Sequence, residues 1–407
     1  MMSGAVDARW EQVPLVDVLD FQEGPGIMAR DFRESGIPLI RLAGLKRQSR
    51  LLAGCKFLAA EMVSSRWAHF RLQEGDVLLS TSASLGEIAA VDQSGVGAIA
   101  YTGIVRFRPR DGRMLREFIP HALVAPSFKR QIEAMGVGSV IRHFGPMHLR
   151  QMTVSVPPLE DQGAITEVLG ALDDKIALNE QIAETVLDLA GCLYQHESEH
   201  DRWPESDLKD TAKWLSGGTP KTSEPSYWGG DIPWISAASL KTPWLYESER
   251  SVTELGAQNG TRLVPKGTIL FVVRGMSLTT EFRVGIAERE VAFGQDCKAL
   301  IPHADIDPAT LFLAVRAQSP RILKMVDLAG HGTGRLVTER VANLRVRLPQ
   351  GETAAGFAAR AGALMDRAVA VTNENRTLAD LRDTLLPQLL SGKLRVKDAV
   401  RTVEEVV

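Results

Sequence analysis

The chain has 407 residues, 44% hydrophobic and 24% charged, with a formal net charge of −3. This is an ordinary globular composition with room for two or three domains, and it excludes a disordered or collagen-like chain. No stretch approaches the ~18 apolar residues of a membrane span, and Met1-Met2-Ser3-Gly4-Ala5-Val6-Asp7 lacks a secretory leader's basic and apolar regions, so a cytoplasmic protein with no membrane partner is expected.

In chain order, residues 10–19 read as a strand or short helix leading to the turn Glu23-Gly24-Pro25-Gly26. Short apolar runs follow at 37–40, 76–80, 87–91 and 103–107, with the length and β-branched content of strands. A helix-like stretch over 115–135 precedes Gly136-Val137-Gly138 and a last strand over 152–156. A long polar-apolar helix occupies 159–200. The plan then repeats: a strand at Ile232-Pro233-Trp234-Ile235, another at 267–273, a helix over 311–326, a flexible loop at 331–335 and a closing strand at 344–348. A second long helix is expected over 351–392, and a charged, frayed tail after Lys393. Cys55, Cys192 and Cys297 are scattered and odd in number, so neither a disulfide framework nor a Cys-x-x-Cys metal site is readable.

The repetition is a duplication. Gly170-Ala171-Leu172 matches Gly362-Ala363-Leu364, Pro157 matches Pro349, and Gly75-Asp76-Val77-Leu78 matches Gly267-Thr268-Ile269-Leu270, all at an offset of 192. In the first long helix Ile165, Leu172, Asn179, Val186 and Leu193 form one heptad series, taken as a, and Val168, Ile182 and Leu189 the complementary d series. The second copy reads Phe357, Leu364, Val371, Leu378 and Leu385 at a, with Arg367 and Glu374 interrupting d. Two such helices can share an antiparallel seam about 55 to 60 Å long. The expected fold class is α+β: two mixed α/β domains in tandem, each followed by a long helix, the helices pairing as a coiled coil. The expected boundaries are 1–156, 157–202, 203–348, 349–392 and a tail over 393–407.

Charge is unevenly spread. Residues 159–201 hold eleven carboxylates against Lys175, a balance of −10 that leaves +7 on the rest of the chain. An acidic rod beside basic globules is compatible with DNA at the globules.

Two motifs mislead. His196-Glu197-Ser198-Glu199-His200 fits the zinc-protease pattern, but it sits at the acidic end of a rod with no apolar shell. Gly95-Val96-Gly97-Ala98-Ile99-Ala100 fits a relaxed dinucleotide fingerprint, but the residues after it continue as a strand, so it reads as a turn. Pro157-Pro158 marks a strand-to-rod junction. There is no Walker A loop and no nuclease-like carboxylate cluster, so no catalytic residue, bound metal or bound cofactor is expected on this chain.

Gly217-Gly218-Thr219-Pro220-Lys221, Tyr227-Trp228-Gly229-Gly230-Asp231-Ile232-Pro233-Trp234-Ile235 and Leu381-Arg382-Asp383-Thr384-Leu385-Leu386-Pro387-Gln388-Leu389-Leu390-Ser391-Gly392 resemble the specificity subunit of type I restriction-modification systems. So do Gly75-Asp76-Val77-Leu78-Leu79-Ser80 and Val156-Pro157-Pro158-Leu159-Glu160-Asp161-Gln162. The resemblance implies two target-recognition domains, each reading one half of a split double-stranded DNA sequence, with the helices setting the gap. It also implies two methylation subunits packed on those helices and restriction subunits beyond them, with S-adenosylmethionine, ATP and Mg on those partners. The first globule departs from the pattern: it has Glu23-Gly24-Pro25-Gly26 and Arg33-Glu34-Ser35-Gly36 in place of the glycine-rich signatures. The second copy has Gln350-Gly351-Glu352-Thr353 where Glu-Gln belongs.

Reading DNA needs donors and acceptors on loops, backed by phosphate contacts. In the first globule the candidates are Arg41, Lys46, Arg47 and Arg50, then Ser80, Ser82 and Ser84, and Arg142 with His143. In the second they are Ser236, Ser239 and Lys241, then Arg274, Ser277, Thr279 and Thr280, and His331, Thr333 and Arg335. They were matched between halves: at the 192 offset Ser82 falls on Arg274, and Arg142-His143 on Gly334-Arg335. Because the globules have diverged, their half-sites are expected to differ. The competing class is a coiled-coil interaction scaffold or an anti-restriction decoy; a steep fall of affinity with salt marks the DNA binder.

Overall fold

The computed structural model describes residues 10–46, 50–82, 84–134, 144–328 and 332–405. Arg47, Arg142, His143, His331 and the Gly136–Gly138 run lie outside them. The chain forms two compact units, residues 1–178 with 375–407 and residues 179–374.

In the first unit an antiparallel sheet runs in the order Leu19–Glu23, Ile104–Pro109, Val77–Ser80, Ile88–Ala90. Its central strand is buried on both faces, which is why Val77-Leu78-Leu79 reads as an unbroken apolar run. Val77 and Leu79 join Phe107, Phe118, Phe128, Ile165 and Leu172, while Leu78 joins Ile40, Leu45 and Leu51 in a smaller cluster. A second sheet pairs Ile37–Ile40 antiparallel to Lys56–Leu58 and parallel to Ile99–Ala100. The pair Glu11–Pro14 with Thr153–Val156 closes the unit.

The second unit has the same topology. Ala212–Ser216, Cys297–Pro302, Ile269–Val272 and Val284–Ala287 pair in that order, with Trp244–Leu245 added at the edge. Trp228–Ile235 runs antiparallel to Ser251–Val252 and parallel to Val291–Phe293. The expected duplication is therefore a duplication of fold, and the strands Val77–Ser80 and Ile269–Val272 keep the 192 offset.

The signature glycines are explained by backbone packing. A Cβ on Gly217 would lie 2.3 Å from the Gly294 carbonyl oxygen, and one on Gly218 2.2 Å from that of Gly260. Gly24 does the same work in the first unit, where a Cβ would lie 2.0 Å from the Ala100 oxygen. The missing signature thus hid an equivalent close approach. Gln162 is equally structural: fully buried, it accepts from Leu115 N at 2.8 Å and donates to the Arg113 and Pro157 carbonyls at 2.7 and 2.8 Å.

The long helices are Leu159–His200 and Gly351–Leu389. In the first unit Asp173 pairs with Arg382 at 2.7 Å, and the Asn375 amide donates to the Ile176 carbonyl at 2.9 Å. The earlier residue of one helix thus meets the later residue of the other, so they run antiparallel. In the second unit Arg360 donates to both Glu197 oxygens at 2.7 and 2.6 Å, and Phe357 packs on Tyr194 and Trp203.

The heptad phase needs correcting. Ile165, Leu172, Asn179, Phe357, Val371, Leu378 and Leu385 are buried as expected, but their companions lie four residues on, at Leu169, Ile176, Ala361 and Ala368. The series taken as a is therefore d, and neither Arg367 nor Glu374 belongs to the seam. Beyond Asn179 the buried stripe moves to Leu187, Ala190 and Tyr194, leaving Leu189 55% exposed. A helix of 3.6 residues per turn drifts about 20° per heptad against a fixed seven-residue repeat, which moves the contact onto neighbouring positions.

Three more expectations change. The 115–135 stretch is broken into a 3-10 turn, Arg116–Phe118, and helices Ile119–Val124 and Pro126–Ala134. Pro126 forces the break, holding Ala125 extended at φ −53° and ψ 139°. The 311–326 helix is Pro308–Ala317, capped by the Asp307 carboxylate on Thr310 N at 2.8 Å, followed by Ser319–Leu323. The tail is not frayed: Val396–Glu404 is a helix whose Ala399 is fully buried in the first unit's core.

Candidate nucleic-acid interface

In the second unit the strand Ile269–Val272 runs on into Arg274–Gly275, which joins Gly334–Arg335 and Asp327–Leu328 in a small antiparallel sheet. The 331–335 segment, expected as a flexible loop, is a strand over Gly334–Arg335. It is anchored by Leu336 N donating to the Val273 carbonyl at 2.8 Å. Arg274 stands directly opposite Arg335 in the ladder. Both are exposed, and neither guanidinium has a hydrogen-bond or ion-pair partner among the described residues. Asp327, on the other side of Arg335, is engaged by Arg340 at 3.3 Å. Like charges opposed across a strand pair destabilise it, by about 0.7 kcal/mol at ~6 Å in water.

Around this pair lie further candidates. Met276, 63% exposed, opens the 3-10 turn Met276–Thr279, and its sulfur sits 3.9 Å from Thr333 Oγ1. Thr279 and Thr280 are exposed, with hydroxyls donating to the Met276 and Ser277 carbonyls at 2.7 and 3.3 Å. Ser277 Oγ is buried with no hydrogen-bond partner among the described residues. The sheet thus brings Arg274, Ser277, Thr333 and Arg335 together.

Ser236 and Ser239 behave differently. Each hydroxyl accepts the other's backbone N–H, at 2.8 and 3.0 Å, so the pair ties its own turn. Lys241 is exposed and bound to Glu249 at 2.9 Å, and that bond holds the Glu249 carboxyl below its usual range.

In the first unit Arg41, Lys46 and Arg50 are exposed around the turn Leu42–Leu45, with the Arg41 guanidinium 6.0 Å from the Tyr101 ring centre. Leu45 and Leu51 anchor that segment in the core. Ser80 is a correction: it is fully buried, donates to the Ser84 carbonyl and accepts from Glu87 N at 2.9 Å. It closes the loop on which Ser82, partly buried, and Ser84, exposed, are carried.

Sequence reasoning missed Arg250, whose guanidinium lies 3.5 Å from the Trp228 ring centre and 5.4 Å from that of Trp234. It also missed Arg289, 5.5 Å from the ring of Tyr246. The Tyr-Trp-Gly-Gly aromatics were visible, but only the register of Ser251–Val252 against Trp228–Ile235 reveals the arginine over them.

The misleading histidines are exposed and stacked, with ring centres 5.7 Å apart, while Glu197 is bound to Arg360. Among the described residues no group of three or more His, Cys, Asp or Glu is placed to hold a metal ion. Among them, too, no helix is long and apolar enough to cross a membrane.

The family model for the type I restriction modification DNA specificity domain matches residues 8–187 and again 200–356. The type I restriction enzyme MjaIX specificity subunit of Methanocaldococcus jannaschii is 36% identical over 107 residues, 25% of this chain and 23% of that protein. The HindI specificity subunit of Haemophilus influenzae is 23% identical over 197 residues, 47% of this chain and 42% of that protein. The curated relatives are matched over 23% to 44% of their own length. In fold, the chain is similar to the S subunit of a type I restriction-modification system from M. genitalium, with a TM-score of 0.54 and 16% identity over 96% of this chain and 97% of that one. With both halves matched by one model and the same topology in each, the chain belongs to the type I restriction-modification DNA specificity family.

Proposed function

We propose that this chain is the sequence-reading subunit of a type I restriction-modification complex, itself carrying out no bond-making or bond-breaking. The first recognition domain is assigned to residues 1–156 and the second to 203–348, each taking one half of an asymmetric split site in double-stranded DNA. The helical segments 157–202 and 349–392 act as the spacer, and two methylation subunits dock on them, with restriction subunits joining the assembly. S-adenosylmethionine, ATP and Mg belong to those partners. The assignment is cytoplasmic, where host DNA lies.

The observation that carries this reading is the duplication: one specificity fold occurs twice in one chain, each copy followed by a long helix. The copies differ in the residues presented at equivalent loops. Arg41, Lys46, Arg50, Ser82 and Ser84 serve the first surface, and Lys241, Arg274, Ser277, Thr279, Thr280, Thr333 and Arg335 the second. Phosphate contacts fix position and base-edge contacts select sequence.

The deciding experiment is methylation-sensitive sequencing of host DNA with and without this chain, co-expressed with its methylation subunit. Modified adenines in a split, asymmetric motif are the expected result. A stable complex that adds no modification overturns the reading in favour of a scaffold or decoy.

A further inference from the structure

The arginine pair on the small sheet supports a statement about the target itself, resting on the DNA-reading role proposed above. Arg274 and Arg335 are cross-strand neighbours in an antiparallel ladder, which places their Cβ atoms about 4.5 to 5.5 Å apart. Several arginines of the same unit are spent on carboxylates, Arg340 on Asp327, Arg283 on Glu281, Arg316 on Asp188 and Arg347 on Glu205, while Arg262 and Arg367 are exposed without one among the described residues. What sets Arg274 and Arg335 apart is that they stand opposite each other in one row with no ion-pair partner among the described residues, Asp327 on the far side of Arg335 being bound to Arg340.

The backbone beneath them is packed closely on the core. The next row of the ladder is Gly275 opposite Gly334. A Cβ on Gly334 would fall 2.6 Å from the Leu278 Cβ, so the backbone lies directly on the core. The arginines therefore project from two adjacent strands of the three-stranded small sheet, a ribbon whose other face lies on the core and whose outer row ends in Asp327. A β-ribbon is one of the two elements that the major groove admits, and the guanidinium fork matches guanine O6 and N7. Beside the pair stands Met276, 63% exposed. An exposed thioether suits base edges and methyl groups and has nothing to offer a phosphate.

We propose that the half-site read by the second globule contains guanine in two neighbouring base pairs, one contacted by Arg274 and the other by Arg335 through O6 and N7. The rival source of the same charge complementarity is the phosphate backbone, and the test separates the two.

The test uses the intact complex and the split motif obtained from adenine-methylation mapping. The half that loses definition in Arg274→Ala is assigned to the second globule. Duplexes are then made with 7-deazaguanine at each guanine of that half in turn, which removes only the N7 acceptor. Two adjacent positions are expected to lose roughly 10-fold or more in affinity. Arg274→Lys and Arg335→Lys are expected to lose part of that affinity and to relax preference at the contacted base pair, because an ammonium lacks the planar fork that fixes O6 and N7 together. The inference is overturned if that half holds no adjacent guanine-containing pairs. It is also overturned if 7-deazaguanine is harmless and both lysine variants bind normally, the signature of phosphate contacts. A complex that yields no split motif overturns the functional reading along with it.

Discussion

A buried hydroxyl and an exposed guanidinium look equally available on paper. Ser80, at the end of its strand, and Ser236 and Ser239 are polar candidates by sequence, yet their hydroxyls are used to close their own turns. Arg274 and Arg335 have no ion-pair partner among the described residues, while the neighbouring carboxylate of Asp327 is bound to Arg340. His121 adds a pH dependence at the same scale. Burial pushes its pKa below 6.5, with Asp173 acting against the shift and Arg382 adding to it. The folded state therefore prefers the neutral ring. The stability this contributes is complete above pH ~6.5 and is lost as pH falls through the unfolded value towards the lower folded one. Denaturation midpoints of the isolated chain should fall between pH 7.5 and 5.5, and His121→Gln should flatten that fall. An unchanged slope in the variant would exclude His121 as the cause.

At the scale of elements, position was legible and phase was not. Strand Val77–Ser80, its copy Ile269–Val272 and both long helices stand where apolar runs and periodicity put them. The seam was misjudged in both helices, its companion positions lying at Leu169, Ile176, Ala361 and Ala368, and beyond Asn179 the accumulated drift, which heptad counting cannot see, moved it further. Leu187 and Leu189 make the difference measurable, at 6% and 55% exposure. Leu187→Ala should cost about 2 to 5 kcal/mol, and Leu189→Ala less than about 0.5 kcal/mol, in chemical denaturation of the chain alone. The reverse order, with Leu189→Ala the costlier change, would restore the heptad phase read from sequence. Of the site, the loops that carry it were legible because they follow strands of the duplication. The Arg250–Trp228 stack and the Arg274–Arg335 ladder were not, since each depends on register between segments distant in the chain.

At the scale of the whole molecule, the proposed spacer role makes a prediction independent of any single side chain. Seven residues inserted in a long helix add two turns and displace its apolar face by only about 20°. Methylation mapping should then return the same two half-sites with a changed gap between them. An altered half-site with an unchanged gap would refute the spacer role.

The sequence by itself determined that the chain is a duplication, that each copy mixes strands and helices, and that each ends in a long helix. Repeat offset, strand length and apolar period are written along the chain and need no distant partner to be read. Only the tertiary structure decided that the C-terminal segment folds onto the first unit's core, that Gly24 does the work of Gly217, and that two arginines without an ion-pair partner among the described residues face each other on one small sheet. Those outcomes depend on packing between residues remote in sequence, where burial and partner geometry determine which polar groups are already satisfied and which stay available for a ligand.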